Sequence, residues 1–432
     1  MARSDVDFVF DQVRKHHSWF NESIPMIASE NLISPLARQL LVSDFHDRYA
    51  EGHPGKRYYQ GLLYIDEVER RVNELARKLF KCSWADVRAV SGTEANMAAF
   101  AATINPGDLI TAVSTADGGH ISHARFGGAG LRGANIINYP WDEANMVPDV
   151  PESVKLIRRV KPKLVLLGQS MFLFPTPMRE ISAAAKEVGA TVMYDGAHVM
   201  GLIAGNTFQD PLREGADFIT GSTHKTLPGP QGAVILGNFN EPDMEKQGTL
   251  VRKLDRAVFP GTVSSHHLHH LAAKAVTFAE HLEFGEAYAK QIVKNSKALA
   301  QALHERGIRC LGEKRGFTES HQVVIDVKEH GGGKWGAEAL EQGNIITNMN
   351  MLPGDTSALN PSGIRLGTQE MTRIGMKENA MKEVAVFYER ILVKKEDPKK
   401  VALDVAEFRK GYQGIHYCYQ EGSPAYKFWQ LS

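Results

Sequence analysis

Between about residue 85 and residue 240 the chain alternates short apolar or β-branched runs with helical stretches. The runs lie at residues 108–113, 134–139, 163–167, 191–194, 218–220 and 233–236, and each is too short for a helix. Met178, Ile181, Ala185 and Val188 fall at helical spacing, and Gly189 stands where such a helix would stop. Strand, helix and strand in repetition predict an α/β fold, a mostly parallel sheet covered by helices on both faces. Residues 267–306, rich in Ala, Leu, Glu and Lys, read as one long helix, and a strand-like run follows at 322–327. This predicts a second, smaller α/β domain from about residue 285. Its tail is charged from Lys394 and then aromatic, with Tyr412, Tyr417, Tyr419, Tyr426, Phe428 and Trp429. Aromatics at that density are expected to dock on the body or on a partner.

Composition narrows the function classes. With 432 residues, two or three domains are expected. Hydrophobic residues make up 43% and charged residues 23%, which excludes a disordered chain. Lys+Arg and Asp+Glu both number 50, so there is no net charge to attract nucleic acid or an anionic membrane. Cys82, Cys310 and Cys418 are odd in number and far apart, which speaks against a disulfide framework or a zinc knuckle. The first residues contain no apolar signal core, and no window approaches the ~18 apolar residues of a membrane span. A cytoplasmic protein is expected.

Four segments carry chemistry. In 221–232, Lys225 follows a strand end, with Ser222 and Thr223 before it and a Gly/Pro turn after it. An amine held in this way forms an imine with a carbonyl cofactor, although an isolated lysine of this kind is most often a surface loop residue. In 191–198 an apolar strand delivers Asp195 at its carboxyl end, where open α/β sheets place their ligands. A carboxylate there suits a protonated pyridine nitrogen, and His198 lies three residues on; taken alone, Asp195 also reads as a helix N-cap. In 90–97 a strand ends in Ser91-Gly92-Thr93 and a helix begins, an arrangement that holds phosphate but also serves as an ordinary cap. In Asp117-Gly-Gly-His120 the two glycines let the backbone come close enough for the imidazole to lie flat on an aromatic ring, although taken alone the segment reads as a glycine turn with an incidental histidine.

Phosphate cup, stacking histidine, ring-nitrogen carboxylate and imine-forming lysine, in that chain order, resemble serine hydroxymethyltransferase, a fold-type I pyridoxal-phosphate enzyme. The resemblance runs from Ile27 to about Val393. Its most specific pieces are Ile27-Ala-Ser-Glu-Asn31, Tyr49-Ala-Glu-Gly-His-Pro-Gly-Lys-Arg-Tyr-Tyr59, Ser222-Thr-His-Lys225 and Gly363-Ile-Arg-Leu-Gly-Thr368. Asp117-Gly-Gly-His-Ile-Ser-His123, Phe172-Leu-Phe-Pro175 and Phe317-Thr-Glu-Ser-His-Gln322 look most like the archaeal branch.

The resemblance implies a role for each matching residue. Lys225 would bind pyridoxal 5'-phosphate covalently, Asp195 would pair with its ring nitrogen, and His120 would stack on the ring. Ser170 and His198 would contact its phenolate oxygen, and Ser91, Gly92 and Thr93 its phosphate. Arg365 would fork onto the substrate carboxylate with Ser29 assisting. Tyr49, Glu51 and Tyr59 would reach in from a neighbouring subunit, with Glu51 as the acid/base at the serine hydroxyl. The implied assembly is a homodimer or a dimer of dimers sharing its active sites. Residues 1–50 would form an arm on the partner, 51–284 the large cofactor domain and 285–432 the small domain with its tail. The implied partners are serine or glycine and a reduced pterin, either tetrahydrofolate or tetrahydromethanopterin. A pterin-independent aldolase or transaldolase acting on threonine-like β-hydroxy amino acids is the alternative.

Some positions depart from the common bacterial and eukaryotic pattern. Gln231 stands in place of an arginine, Gln60 in place of a glycine and His53 in place of an aromatic. A usually glycine-rich stretch reads Thr262-Val-Ser-Ser-His-His-Leu-His-His270; in the family it holds cofactor phosphate across the subunit interface, which implicates Ser264 and Ser265. On a helix, His266 and His270 would share a face as metal-ligand pairs do. No third ligand or glutamate base stands at a recognised spacing, so no metal is assigned.

Overall fold

The structure, a computed structural model, describes residues 2–429. The chain divides into two compact units, one of residues 36–290 and one of residues 1–35 with 291–432.

The unit of residues 36–290 is built on a seven-stranded sheet. In chain order its strands are β1 (Trp84–Asp86), β2 (Leu109–Ala112), β3 (Asn135–Asn138), β4 (Leu164–Gly168), β5 (Thr191–Asp195), β6 (Phe218–Ser222) and β7 (Ala233–Gly237). The spatial order is β1-β7-β6-β5-β4-β2-β3. β3, β2, β4, β5 and β6 pair in parallel, whereas β7 runs antiparallel to both β6 and β1. Every apolar run read as a strand between residues 108 and 236 is a strand. All residues of β4, β6 and β7 are buried, as expected of strands covered on both faces. Ile110, Leu164, Met193, Phe218 and Ile235 pack against Ala98, Ala99 and Phe100 of helix Gly92–Thr103. Helix Met178–Glu187 lies where the periodicity placed it, and Gly189 follows it at φ +73.

The other unit holds an antiparallel sheet of β8 (Arg309–Cys310), β9 (Gln322–Asp326), β10 (Asn348–Asn350) and β11 (Gly363–Gly367), in the order β8-β9-β11-β10. Ile24 and Met26, from the start of the chain, join its core with Val323, Ile364, Leu366 and Tyr388. The 37-residue helix Leu268–His304 contributes its residues up to 290 to the first unit and the rest to this one. The aromatic tail docks within this unit: the half-buried Tyr426 donates to Glu370 at 2.6 Å, Phe428 meets Phe10 edge-on, and Tyr412 lies against Phe408.

Glu370 is buried, and burial pushes its carboxyl up to about 7, against the Tyr426 hydrogen bond. A folded-state pKa above the unfolded value of about 4.3 means that the folded chain binds the proton more tightly. The corresponding stability is complete below about pH 4.3 and is lost as the pH rises through about 7, up to about 4 kcal/mol. Urea midpoints at pH 5 and pH 8 test this. The wild-type chain should lose more stability across that interval than Glu370→Gln, and equal losses would show Glu370 already ionised in the fold.

Candidate active site

β4, β5 and β6 lie side by side, with Asp195 in register with Gly168 on one neighbour and Thr220 on the other. Asp195 ends β5 and is 3% exposed. One carboxylate oxygen accepts from His123 Nε2 at 2.9 Å and from Asn96 Nδ2 at 2.7 Å; the other accepts from the Ala197 N–H at 2.9 Å. Burial pushes this carboxyl up, but the hydrogen bond and charge of His123, then His120 and Asn96, hold it well below the usual carboxylate range. It therefore stays ionised inside the fold.

Lys225 lies in the turn after β6 and is 8% exposed. The hydroxyl of the adjacent Thr226 donates to the His198 carbonyl at 2.8 Å and accepts from the Gly201 N–H at 3.0 Å. These bonds stitch the lysine turn to the segment that follows Asp195. His198 itself is buried. Burial and the Lys225 charge push His224 down to about 4.

Helix Gly92–Thr103 starts against the same strand ends. Ser91 Oγ caps it by accepting from the Glu94 N–H at 3.1 Å, and the Glu94 carboxylate accepts from the Val90 N–H at 2.8 Å. A Cβ on Gly92 would stand 2.6 Å from Ser222 Oγ, so only glycine lets this helix end close on β6. Ser91, Gly92 and the exposed Thr93 thus line a helix N-terminus beside the lysine turn.

The glycine turn after residue 117 behaves in the same way. A Cβ on Gly119 would lie 2.1 Å from the Val113 carbonyl oxygen. The Ser170 N–H, just beyond β4, donates to the Gly118 carbonyl at 2.8 Å, which brings Ser170 to the His120 loop. His120 Nδ1 lies 2.7 Å from Ser122 Oγ. The ligand atoms of His120, His123 and Asp195 lie within 4.8 Å of one another, the one such group of metal-capable side chains among the described residues. Those of His123 and Asp195 are hydrogen-bonded to each other. Sequence reasoning gave no role to His123, Asn96 or Thr226. His123 had a signal, its spacing of three from His120.

A second group in this unit gathers Tyr49, Glu51, Tyr59, Ser264 and Ser265. Tyr49 Oη lies 2.9 Å from Ser264 Oγ, Ser265 Oγ accepts from the Ala50 N–H at 3.1 Å, and the Tyr49 and Tyr59 rings are 5.1 Å apart. The segment is mounted on Arg57, which donates to Gly52 O, to Asp66 at 2.8 Å and to Glu69 at 2.5 Å. Burial raises the Glu69 carboxyl, but His266, at 3.1 Å, and Arg57 bring it down to about 2. Tyr49 and Tyr59 are nearly half exposed, and Tyr58, Leu63 and Tyr64 are open to solvent.

The run of histidines does not form the pair that a helix would give. The helix starts at Leu268, so His266 lies before it and turns to Glu69. His270 Nδ1 donates to the Gln231 carbonyl at 2.7 Å, and His269 Nε2 stands 3.3 Å from His46 Nδ1. His53 pairs with Asp255 at 3.4 Å.

In the other unit Arg365 sits mid-strand on β11, half-buried, and donates to Asn348 Oδ1 at 3.4 Å. Burial lowers its guanidinium to about 10, so it stays charged at neutral pH. Ser29 is brought to the end of the same strand. The Gly367 N–H donates to Met26 O at 2.8 Å, and Gln369 Nε2 donates to Ile27 O and Glu30 O at 2.8 and 2.7 Å.

Comparison with known proteins agrees with this geometry. The family described as serine hydroxymethyltransferase matches residues 1–388. The serine hydroxymethyltransferase of Pyrococcus horikoshii is 52% identical, over 97% of this chain and 98% of its own. That of Methanocaldococcus jannaschii is 53% identical over 98% of each chain. Among solved structures, L-threonine transaldolase from Pseudomonas fluorescens in its internal aldimine state matches with a TM-score of 0.88 and 31% identity, over 97% of this chain and 94% of that one. The chain belongs to the serine hydroxymethyltransferase family, pyridoxal-phosphate enzymes that interconvert serine and glycine, and carries that family's activity.

Proposed function

We propose that serine is cleaved at the carboxyl ends of β4, β5 and β6, with pyridoxal phosphate held on Lys225 and the one-carbon unit passed to a reduced pterin. The observation that carries this reading is the buried, ionised Asp195 on the strand beside the one that leads to Lys225.

The donor set suits the cofactor. A carboxylate kept ionised by three hydrogen bonds matches a protonated pyridine nitrogen. The helix N-terminus at Ser91, Gly92 and Thr93 matches a phosphate. His120 would lie on the ring face, with Ser170 and His198 at the phenolate side. When bound, pyridoxal phosphate supplies an electron sink for the charge left on the substrate Cα.

The chain's own residues then have distinct tasks. Arg365, with Ser29 beside its strand end, holds the substrate carboxylate and so sets which bond at Cα stands ready to break. Glu51 takes and returns the proton of the serine hydroxyl. Tyr49 and Tyr59 flank Glu51, and Ser264 and Ser265 support the cofactor phosphate. Tyr49, Glu51, Tyr59, Ser264 and Ser265 act on a partner subunit's site in a homodimer. The exposed aromatic surface around Tyr58 and Tyr64 supports that assembly.

A second reading has support in the likeness to L-threonine transaldolase: cleavage of β-hydroxy amino acids with no pterin acceptor. Gln231 and the histidines of 266–270, where the family usually has an arginine and glycines, leave the acceptor wall open to either reading.

Lys225→Ala should abolish the visible absorption band of the purified protein, and an unchanged band would place the cofactor on another lysine. Arg365→Ala should raise KM for serine and cut turnover by about 2–5 kcal/mol, as when one partner of a buried charge pair is lost. Normal kinetics would remove Arg365 from the site. Serine cleavage assayed alone, with tetrahydrofolate and with tetrahydromethanopterin should be stimulated by one of the two pterins. No stimulation by either would favour the transaldolase-like reading.

A further inference from the structure

We infer that Asn96 is the positioning residue that holds Asp195 in place and, through Ser122, fixes the tautomer of His120. The inference rests on the reading that Asp195 and His120 face the cofactor ring, and it assigns work to a side chain that this reading leaves unused. Asn96 lies one turn into helix Gly92–Thr103 and is 1% exposed. Its amide makes three hydrogen bonds. Thr220 Oγ1 lies 2.7 Å from Oδ1, while Nδ2 lies 2.7 Å from Asp195 Oδ2 and 2.9 Å from Ser122 Oγ.

The direction of each bond follows from chemistry. An ionised carboxylate only accepts, so the amide edge facing Asp195 must be the NH2 group; a flipped amide would set oxygen against oxygen at 2.7 Å. Oδ1 must then accept from the Thr220 hydroxyl. With Nδ2 donating to Ser122 Oγ, the single Ser122 hydroxyl proton points away from Asn96, toward His120 Nδ1 at 2.7 Å. The Ser122 backbone N–H also points at that nitrogen, at 3.2 Å. Two donors converge on Nδ1, so Nδ1 is the bare nitrogen and the neutral ring carries its proton on Nε2. The chain of bonds thus runs one way, from Thr220 through Asn96 and Ser122 to His120, with a branch to Asp195.

The test uses the full-length protein and two kinds of readout. Ring 15N shifts of His120 in the cofactor-free protein, assigned among the 17 histidines with a His120→Gln control, report the tautomer. In the wild type the Nε2–H form should dominate, and in Ser122→Ala the two forms should mix while the thermal midpoint stays near wild type. Asn96→Ala should mix the tautomers, weaken pyridoxal-phosphate binding by about tenfold or more and shift the visible band, as the loss of a hydrogen bond to a charged group does. If Asn96→Ala folds poorly, Thr220→Val, which removes the donor that anchors Oδ1, should show the same two changes in milder form. An Nδ1–H form in the wild type, or wild-type cofactor affinity and spectrum in folded Asn96→Ala, overturns the inference. Failure of the cofactor reading itself shows differently, as a wild-type protein with no visible band whatever its His120 tautomer.

Discussion

The site depends on one buried charge. A carboxylate taken out of water is costly unless every oxygen is answered by a donor. Asp195 meets that condition with three donors from three places: His123 from the short turn after the glycines, Asn96 from helix Gly92–Thr103, and the Ala197 backbone. The charge is therefore also a structural hub. The helix capped by Ser91, the turn that carries His120 and the segment that leads to His198 are all held in register by what Asp195 requires. Losing one donor would loosen these elements together, which is why the ionised state of one side chain and the shape of the pocket are the same question.

Close backbone approach is the second constraint. The helix end at Gly92 closes on Ser222, and the turn at Gly119 closes on the Val113 carbonyl, at separations where no Cβ fits. Groups from sequence-distant segments reach one strand edge because their backbones come that near. A pocket assembled in this way has little freedom to adjust, and catalysis gains from reactive groups that are already in place.

How much of this was legible in the sequence follows from where each signal originates. The parallel strands show as short apolar runs because burial on both faces removes the polar alternation, and those runs are strands. The strand Trp84–Asp86 is too short and too polar to show, and the antiparallel direction of β7 leaves no mark because the lysine turn before it is no tight hairpin. The placement of Lys225 and Asp195 at strand ends could be read because a strand end followed by a turn is a local pattern. Asn96, Ser122 and Thr226 could not, since their work arises only where separate segments meet. Lys274 is a sharper case. Within an alanine-rich helix it reads as solvent-facing, yet it is buried, its amine lowered by burial to about 8, and it donates to the carbonyls of Val87, Ala89 and Ala233 beside β1 and β7.

The histidine run is the converse case, where a conspicuous pattern dissolves in three dimensions. His266 leaves the helix and completes a buried cluster with Glu69, Arg57 and Asp66. Buried ion clusters add little net stability, because desolvation offsets most of the attraction; what they supply is geometric definition. Here that definition falls on the segment bearing Tyr49, Glu51 and Tyr59, pinned through Arg57 on one side and through Ser264 and Ser265 on the other. A segment fixed so firmly and yet left with its tyrosines about half exposed has been ordered without being covered by its own chain. A segment already held in one geometry loses less entropy than a mobile one when anything binds to it.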